Sequence, residues 1–301
     1  MTIFNQISII GVGLMGASVG KTALTRGAAN YVLGWDVNEK ELRDAERVRA
    51  ISMAAQSLEQ CVQESDLIIL ATPIRFMTDY IQQAAKANKR SALITDLGSV
   101  KDTLVSFFND APLDNGCRYL GSHPMAGKEV SGAAHADDRL FDNCVTVITP
   151  CNNTSKEDVE TLVKFWRSLG AKIKIAHSEN HDEAAAQISH LPHLVSAAIA
   201  NTVDTGNALA MLMASTGLES MIRLANGSPS VWADVLLSNK DFILDEANAF
   251  ARNLGMFMDA MENDDRDTLT QLLQNAQSIR RSVTEIKEMI RNMENDDLPS
   301  L

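Results

Sequence analysis

The side chain best suited to acid–base chemistry is His123, which follows the short β-rich segment Arg118–Gly121. An imidazole with an unperturbed pKa of about 6.5 can accept a proton from a hydroxyl group at neutral pH. Such a base suits a reaction in which a hydride leaves the carbon atom that bears the hydroxyl. His123 is therefore a candidate catalytic residue, and its reaction requires a hydride acceptor.

A glycine-rich turn near the start of the chain has the pattern of a nucleotide-binding loop. The segment Gly11-Val12-Gly13-Leu14-Met15-Gly16 follows the predicted strand Ile7–Ile10 and opens a predicted helix. Gly11 permits the tight turn, Gly13 allows the backbone to approach a pyrophosphate, and Gly16 allows close helix–strand packing. The helix N-terminus supplies free N–H groups and a positive dipole end for the phosphates. The loop thus predicts a dinucleotide site.

The acidic residue Asp36 indicates which dinucleotide binds. It closes the predicted strand Tyr31–Trp35 and lies 20 residues after Gly16. A carboxylate there accepts hydrogen bonds from a ribose diol and repels a 2′-phosphate, and no arginine follows it immediately, so NAD is favoured over NADP. Two alternatives remain: the glycines form a turn without a ligand, and Asp36 caps the following helix. The predicted cofactor-binding residues are Gly11, Gly13, Leu14, Met15, Gly16, Asp36, Thr72 and Pro73.

The second half of the chain contributes two histidines and one arginine of interest. In Ser189-His190-Leu191-Pro192-His193 the histidines are three residues apart, so they share a face if the segment is helical. Two ligands are too few for a metal site, and none is predicted. Arg223 lies in an apolar stretch, where its charge requires an anion: a substrate carboxylate, Glu219 or Asp234. The remaining histidines are assigned surface or capping roles: His135, His177 and His181.

Short apolar segments alternate with helical sequence through the first half of the chain. The predicted strands are Ile7–Ile10, Tyr31–Trp35, Leu67–Leu70, Ala92–Thr95, Arg118–Gly121, Val145–Thr149 and Lys172–Ile175. This alternation predicts an α/β fold with a doubly wound, mostly parallel sheet of the Rossmann type, covered by helices on both faces. A capping box at Thr154 and Glu157 predicts a helix that runs to Gly170.

After about His177 the periodicity is helical, and no further strand is predicted. We therefore expect a nucleotide-binding domain over residues 1–177 and an all-α domain over residues 178–301. The methionines of the second domain are expected in its core or in a subunit interface. The acidic run Glu294–Asp297 is predicted to be a solvated tail.

The composition fits a globular protein and argues against several other classes. The 301 residues are 45% hydrophobic and 22% charged, with a net charge of −12, so there is no overall attraction to nucleic acid or anionic membranes. No apolar stretch approaches the roughly 20 residues that span a bilayer. The four cysteines are too scattered for a disulfide framework and are expected to be buried thiols. Because the N-terminus lacks a secretory pattern, we expect a cytoplasmic protein.

Several segments together resemble the prephenate/arogenate dehydrogenase family. They are Gly11–Gly20, Asp96–Lys101, Ser122–Gly132, Ile188–His193 and the run from Arg223 through Pro229 and Trp232 to Asn239. The resemblance covers nearly the whole chain. It implies NAD-dependent oxidative decarboxylation of prephenate to 4-hydroxyphenylpyruvate in tyrosine biosynthesis. It also implies a homodimer that is intertwined through the α-helical domain, and no regulatory domain.

The resemblance further implies roles for individual residues. His123 matches the catalytic base, and Ser99 matches the serine that positions the substrate hydroxyl and the histidine. Arg223 matches the arginine that binds a substrate carboxylate. The other matching substrate-pocket residues are His193, Ser189, His190, Glu129 at the pocket entrance, and Trp232, an aromatic residue that reaches toward a neighbouring subunit's site.

Two departures from the family pattern leave the substrate open. The segment Thr216–Ser220 replaces a Gly-Gly-aromatic-basic-Asp run, with Glu219 in place of the basic residue, and Ala233 stands where an arginine is common. These changes alter the charge near the substrate's side chain. The negative charge of Glu219 is hypothesised to favour the ammonium group of arogenate.

Two more distant functions are also considered. A β-hydroxyacid dehydrogenase shares the order of domains, but no helical lysine with a glycine-rich neighbourhood matches the one on which that family relies. A non-catalytic NAD(H)-sensing module would need the glycine motif and Asp36, but it would have no use for Ser99, His123, His193 and Arg223 together.

Overall fold

The computed structural model describes residues 2–292, and its first half contains a parallel sheet of six strands. The strands are β1 (Phe4–Ile10), β2 (Ala29–Trp35), β3 (Met53–Ala54), β4 (Leu67–Leu70), β5 (Leu93–Asp96) and β6 (Arg118–Tyr119). Their order is β3-β2-β1-β4-β5-β6. The direction of winding reverses between β1 and β4, which is where a doubly wound sheet binds its ligand.

Helices cover both faces of this sheet, as the alternation in the sequence predicts. They are α1 (Leu14–Thr25), α2 (Glu39–Arg47), α3 (Leu58–Val62), α4 (Met77–Ala87) and α5 (Asp102–Asp110). Successive side chains of a strand point to opposite faces. Ile9 and Ile69 accordingly belong to one buried cluster, and Ile10 and Ile68 to another on the other side.

The predicted strand Arg118–Gly121 is wrong as a single element. After β6 the chain turns at Leu120 into β7 (Gly121–Pro124), which joins β8 (Val145–Thr149) and β9 (Lys172–Ile175) in a separate sheet. Strand β8 pairs with β7 in antiparallel orientation and with β9 in parallel orientation. His123 therefore lies within a strand of this second sheet rather than in a loop.

Helix α6 (Lys156–Ser168) connects β8 to β9, and its capping box is displaced by one residue from the predicted pair. The oxygen of Ser155 accepts a hydrogen bond from the amide of Asp158 and donates one to its carboxylate. Thr154 and Glu157 therefore do not form the cap. The sequence pattern of a capping box fits the pair Thr154 and Glu157 as well as the pair Ser155 and Asp158, because the two pairs are adjacent in the chain.

From Ser178 onward the described chain is helical. Its helices are α7 (Ser178–Ala185), α8 (Leu191–Thr202), α9 (Ala208–Met213), α10 (Thr216–Ile222), α11 (Pro229–Ser238), α12 (Lys240–Glu262) and α13 (Arg266–Asn292). One π-helical turn, Ala186–His190, joins α7 to α8. Pro192 lacks the N–H that an α-helical ladder requires at this point, which accounts for the wider turn. The domain boundary between residues 177 and 178 stays a prediction.

The last helices leave a large apolar surface exposed in the single chain. Exposed residues include Leu244, Phe250, Leu254, Met256, Met258 and Met261 on α12, and Leu273, Ile279, Val283, Ile286 and Met289 on α13. The methionines named here on α12 and α13 are thus exposed in the single subunit and do not belong to its core. The predicted tail, Glu294–Asp297, lies outside the described residues. None of the helices among residues 2–292 combines the length and apolar character that crossing a bilayer requires.

The cysteines are free thiols, as expected. Cys61, Cys117 and Cys151 are buried, and Cys144 is half-buried. Burial raises the pKa of Cys61 to about 12 and that of Cys151 to about 11, so these thiols are protonated at neutral pH. They are packing residues rather than nucleophiles.

Candidate active site

The glycine-rich loop between β1 and α1 leaves space where a dinucleotide is expected. Gly11 has a φ of +92°, and a Cβ atom there would lie 2.7 Å from the carbonyl oxygen of Ala71. A Cβ atom at Gly16 would overlap the carbonyl oxygen of Gly11. At Gly13, by contrast, no heavy atom of the described residues beyond Val12, Gly13 and Leu14 lies within 4 Å of that position. The loop is therefore tightly packed on the strand side and open above the N-terminus of α1.

Asp36 is held against this loop. Its carboxylate accepts hydrogen bonds from the amide of Val12 at 2.9 Å and the amide of Asn38 at 2.8 Å. The residue that caps α2 is Asn38, whose side chain accepts from the amide of Lys40, so the alternative role of Asp36 as this cap is wrong. These bonds fix the carboxylate at the end of β2, where a ribose diol is expected.

A cavity of about 420 Å³ continues from the glycine loop toward His123. Its lining includes Gly13, Leu14, Met15, Thr72, Pro73, Ser99, His123 and, from α11, Val231 and Val235. One concave, mostly apolar space thus joins the loop to the candidate base. The open position above Gly13 and the apolar walls fit a dinucleotide whose nicotinamide end lies beside His123.

His123 is buried and belongs to a chain of three side chains. Its Nδ1 lies 2.8 Å from Nε2 of His181, and Nδ1 of His181 lies 2.7 Å from Oδ1 of Asp182. The Asp182 carboxylate also accepts hydrogen bonds from the backbone amides of Lys101 and Asp102, both at 2.8 Å. These amides open α5, where the helix dipole favours a negative charge. We refer to His123, His181 and Asp182 as the relay.

The hydrogen bonds of the relay fix where its protons lie. A carboxylate only accepts, so Nδ1 of His181 donates to Asp182 and, in the neutral ring, Nε2 of His181 accepts from His123. Nε2 of His123 therefore carries a lone pair, and it has no hydrogen-bond partner among residues 2–292. Burial, and after it the nearby charge of Lys101, hold the pKa of His123 well below its usual value. The ring is neutral at physiological pH and can accept a proton.

The predicted surface or capping role of His181 is therefore wrong. Its side chain is 3% exposed and reaches from α7 to His123 on β7. The sequence contained one usable signal, because an adjacent His-Asp pair opens a helix directly after the last strand. By contrast, His177 is exposed at the start of α7, and His135 is exposed at the end of the 3₁₀ turn Ala133–His135.

A buried ion pair lies behind the strand that carries His123. Nζ of Lys101 pairs with the carboxylate of Asp96 and also donates to the carbonyl oxygen of Ser122 at 3.0 Å. The other oxygen of Asp96 accepts from the Tyr119 hydroxyl at 2.7 Å. Both charged side chains are fully buried, so removal of either would leave an uncompensated charge. The pair ties β5 to β7 directly beside His123.

A second cavity, of about 310 Å³, lies next to the first, and Val130 and Ser131 line both. The imidazole of His193 and the indole of Trp232 stack in it with ring centroids 3.4 Å apart and planes 12° apart. Arg223 lines the cavity and pairs with Glu129. The charge of Arg223 is thus balanced by neither Glu219 nor Asp234. Asp234 pairs with Arg75 instead.

The structure brings together most, but not all, of the predicted site residues. Ser99 and His123 line the first cavity, and Glu129, His193, Arg223 and Trp232 line the second. Among the residues that the structure describes, the lining of the two cavities does not include Ser189, His190 or Glu219. His190 is completely buried behind Trp232, and Ser189 is half-buried beside it. Glu219 is exposed on α10.

Two family models match consecutive parts of the chain. The model described as prephenate dehydrogenase, nucleotide-binding domain, matches residues 19–175. The model described as prephenate dehydrogenase, dimerization domain, matches residues 177–275. The chain belongs to the prephenate dehydrogenase family. This membership confirms the resemblance inferred from the sequence motifs.

Curated and solved relatives agree with this assignment. The chain is 30% identical to a prephenate dehydrogenase of Bacillus subtilis, over 92% of the chain and 75% of the relative. It is 28% identical to a cyclohexadienyl dehydrogenase of Zymomonas mobilis, over 93% and 96%. The crystal structure of an Aquifex aeolicus prephenate dehydrogenase with hydroxyphenyl propionate and NAD⁺ superposes with a TM-score of 0.84 at 26% identity, covering 93% of this chain and 98% of that one.

A structure of an arogenate dehydrogenase from Synechocystis is also similar, with a TM-score of 0.74 and 27% identity, covering 92% of this chain and 99% of that one. Family, fold and loop geometry together make the chain an NAD-dependent dehydrogenase. Gly13 and the N-terminus of α1 would hold the pyrophosphate, and Asp36 the adenosine ribose.

Two glycine substitutions test how the loop holds NAD. A Cβ atom at Gly13 meets no atom of the chain but enters the space of the pyrophosphate, so Gly13→Ala is expected to raise the Kd for NAD about tenfold or more while Tm stays unchanged. In Gly16→Ala the new methyl overlaps the Gly11 carbonyl, so stability is expected to fall by about 1–3 kcal/mol. Calorimetric titration with NAD and thermal unfolding measure the two effects. Unchanged NAD affinity in folded Gly13→Ala would contradict this placement.

Proposed function

We propose that the protein oxidises and decarboxylates prephenate to 4-hydroxyphenylpyruvate with NAD as hydride acceptor. One observation carries this proposal: His123, whose Nε2 has no partner among the described residues, lines the same cavity as the glycine loop. A base beside the nicotinamide end of the site suits removal of a proton from the hydroxyl on the carbon that loses hydride. Bound NAD supplies the electrophile that accepts the two electrons of that hydride.

The relay accounts for the proton steps. As the C4–H bond breaks, Nε2 of His123 accepts the proton of the C4 hydroxyl, and C4 becomes a ketone conjugated with the ring. The bond between C1 and its carboxylate then breaks, carbon dioxide leaves, and the electron pair enters the ring. The resulting phenolate oxygen takes the proton back from His123, so no proton is gained or lost overall. His181, oriented by Asp182, holds the ring of His123 in place throughout.

The second cavity supplies groups for the side chain of the substrate. The planar guanidinium of Arg223 can direct two parallel N–H donors at a carboxylate. Its present partner, Glu129, is an anion that a substrate carboxylate would replace. The stacked pair of His193 and Trp232 offers a flat, apolar wall for a six-membered ring. Ser99, at the border of the first cavity, is proposed to contact the substrate hydroxyl.

We further propose that the chain works as a homodimer in the cytoplasm. The exposed apolar residues of α12 and α13 form a surface that a second copy of the chain would bury. Helix α12 and the first part of α13, up to residue 275, lie within the match to the dimerization domain. The obligate interfaces of intertwined dimers have this apolar character.

The decisive test replaces the base. His123→Asn is expected to lower kcat by about 10²–10⁴-fold while the Kd for NAD changes little, because general-base catalysis contributes a factor of this size. NADH absorbance with prephenate, and separately with arogenate, measures turnover. His135→Asn, an exposed histidine outside both cavities, is the matched control and should retain full activity. Full turnover in His123→Asn would reject the proposal and favour a non-catalytic NAD-sensing role or another site.

The pH dependence of the reaction follows from the lowered pKa of His123. A base must be unprotonated in the free enzyme, and a pKa well below 6.5 keeps it so in weakly acidic solution. We therefore expect kcat/KM to stay level as the pH falls through 6.5 and to decline only at clearly lower pH. An acid limb with its midpoint at or above 6.5 would contradict the buried, neutral relay.

Arogenate is the alternative substrate, because the similar Synechocystis protein is an arogenate dehydrogenase and Glu219 departs from the family pattern. Glu219→Lys is expected to raise the ratio of kcat/KM for prephenate to that for arogenate about two- to fivefold, the effect of one exposed charge. Glu64→Lys, an exposed site after α3, makes the same charge change as a control. An unchanged ratio would remove Glu219 from substrate selection.

A further inference from the structure

A buried amide connects the relay to the aromatic wall of the second cavity. Asn239 lies between α11 and α12 and is 4% exposed. Its Nδ2 donates one hydrogen bond to the backbone carbonyl of Asp182 at 2.8 Å and another to Nδ1 of His190 at 3.0 Å. An amide nitrogen has two hydrogens, so both are used.

The orientation of this amide is determined by its surroundings. If the amide were flipped, its oxygen would face the carbonyl oxygen of Asp182, and two acceptors would meet without a hydrogen. Nδ2 must therefore face Asp182, and its second hydrogen requires that Nδ1 of His190 be the acceptor. The proton of neutral His190 then lies on Nε2. Burial lowers the pKa of His190 to about 4, so the ring is neutral at physiological pH.

His190 in turn supports the substrate cavity from behind. Its ring stands edge-on to Trp232, with centroids 6.1 Å apart and planes 79° apart, and Trp232 stacks on His193. Nε2 of His190 is buried and has no hydrogen-bond partner within the described part of the chain. The bond to Asn239 is thus the one polar contact that the described residues give this ring.

We propose that Asn239 is a positioning residue for the reaction, because its amide holds the backbone of the relay and the support of the Trp232–His193 wall in fixed relative positions. It touches neither cavity and acts only through Asp182 and His190. His123 lines the first cavity, and the Trp232–His193 wall lines the second. The substrate must contact His123 and this wall at the same time for its C4 hydroxyl to meet the base. This role rests on the proposed function, and it predicts a loss in kcat rather than in NAD binding.

The test uses Asn239→Leu, which keeps the size of the side chain but donates no hydrogen bond. The matched control is Asn88→Leu, because Asn88 is also buried and its Nδ2 also donates two hydrogen bonds, to the carbonyls of Val62 and Ser65, and none of these three residues lines either cavity. Both variants are expected to lose stability. Only Asn239→Leu is expected to lower kcat, by about 10- to 100-fold, with the Kd for NAD within twofold of the wild type.

A second readout does not depend on turnover. In ¹⁵N-histidine NMR of the wild-type protein at pH 7, the His190 resonance, assigned with His190→Gln, should show protonated Nε2 and unprotonated Nδ1. Asn239→Leu should abolish this fixed tautomer, and Asn88→Leu should preserve it. If Asn239→Leu does not fold, Asn239→Asp replaces it, and its carboxylate should raise the pKa of His190 in an NMR titration.

The outcomes separate this proposal from the proposed function. An unchanged His190 tautomer, an unchanged kcat in Asn239→Leu, or an equal loss of kcat in Asn88→Leu would overturn the positioning role. If wild-type protein turns over neither prephenate nor arogenate, the proposed function fails, whereas the NMR result still decides whether Asn239 fixes His190.

Discussion

The carboxylate of Asp182 joins the two halves of the molecule beside the candidate base His123. It accepts two backbone amides from the start of α5 and one ring N–H from His181. Hydrogen bonds to a charged group contribute about 1.5–3 kcal/mol each, and here the helix dipole adds to them. Because α5 belongs to the sheet domain and Asp182 to the first C-terminal helix, the base is held correctly only when the two halves are docked.

This arrangement explains why neither half of the chain contains a complete site. The sheets provide the glycine loop, His123 and Ser99, whereas α11 adds Val231 and Val235 to the first cavity and Trp232 to the second. One helix of the C-terminal half therefore contributes to both cavities. A ligand in either cavity contacts both halves, so binding and docking stabilise each other.

The sequence predicted the parts of the site that depend on local pattern. The glycine loop, Asp36 and the parallel sheet follow from turn chemistry and alternation, and the family motifs pointed to His123 and Arg223. The relay was missed because His181 is 58 residues from His123, and only the docking of α7 on β7 shows that the two rings meet. The partner of Arg223 was missed for the same reason, since Glu129 lies 94 residues away on a loop between the cavities. Pairings across a domain boundary leave no periodic signal in one sequence.

Two ion pairs near the site differ in exposure, and this difference decides their roles. Lys101 and Asp96 are fully buried, so breaking that pair would cost several kcal/mol and the pair is a permanent part of the frame. Arg223 and Glu129 are each 55% exposed, and exposed pairs contribute only about 0–1 kcal/mol. If Arg223 binds the substrate carboxylate as proposed, that carboxylate can displace Glu129 at little cost. The proposed site thus combines a fixed base with an exchangeable anion-binding group.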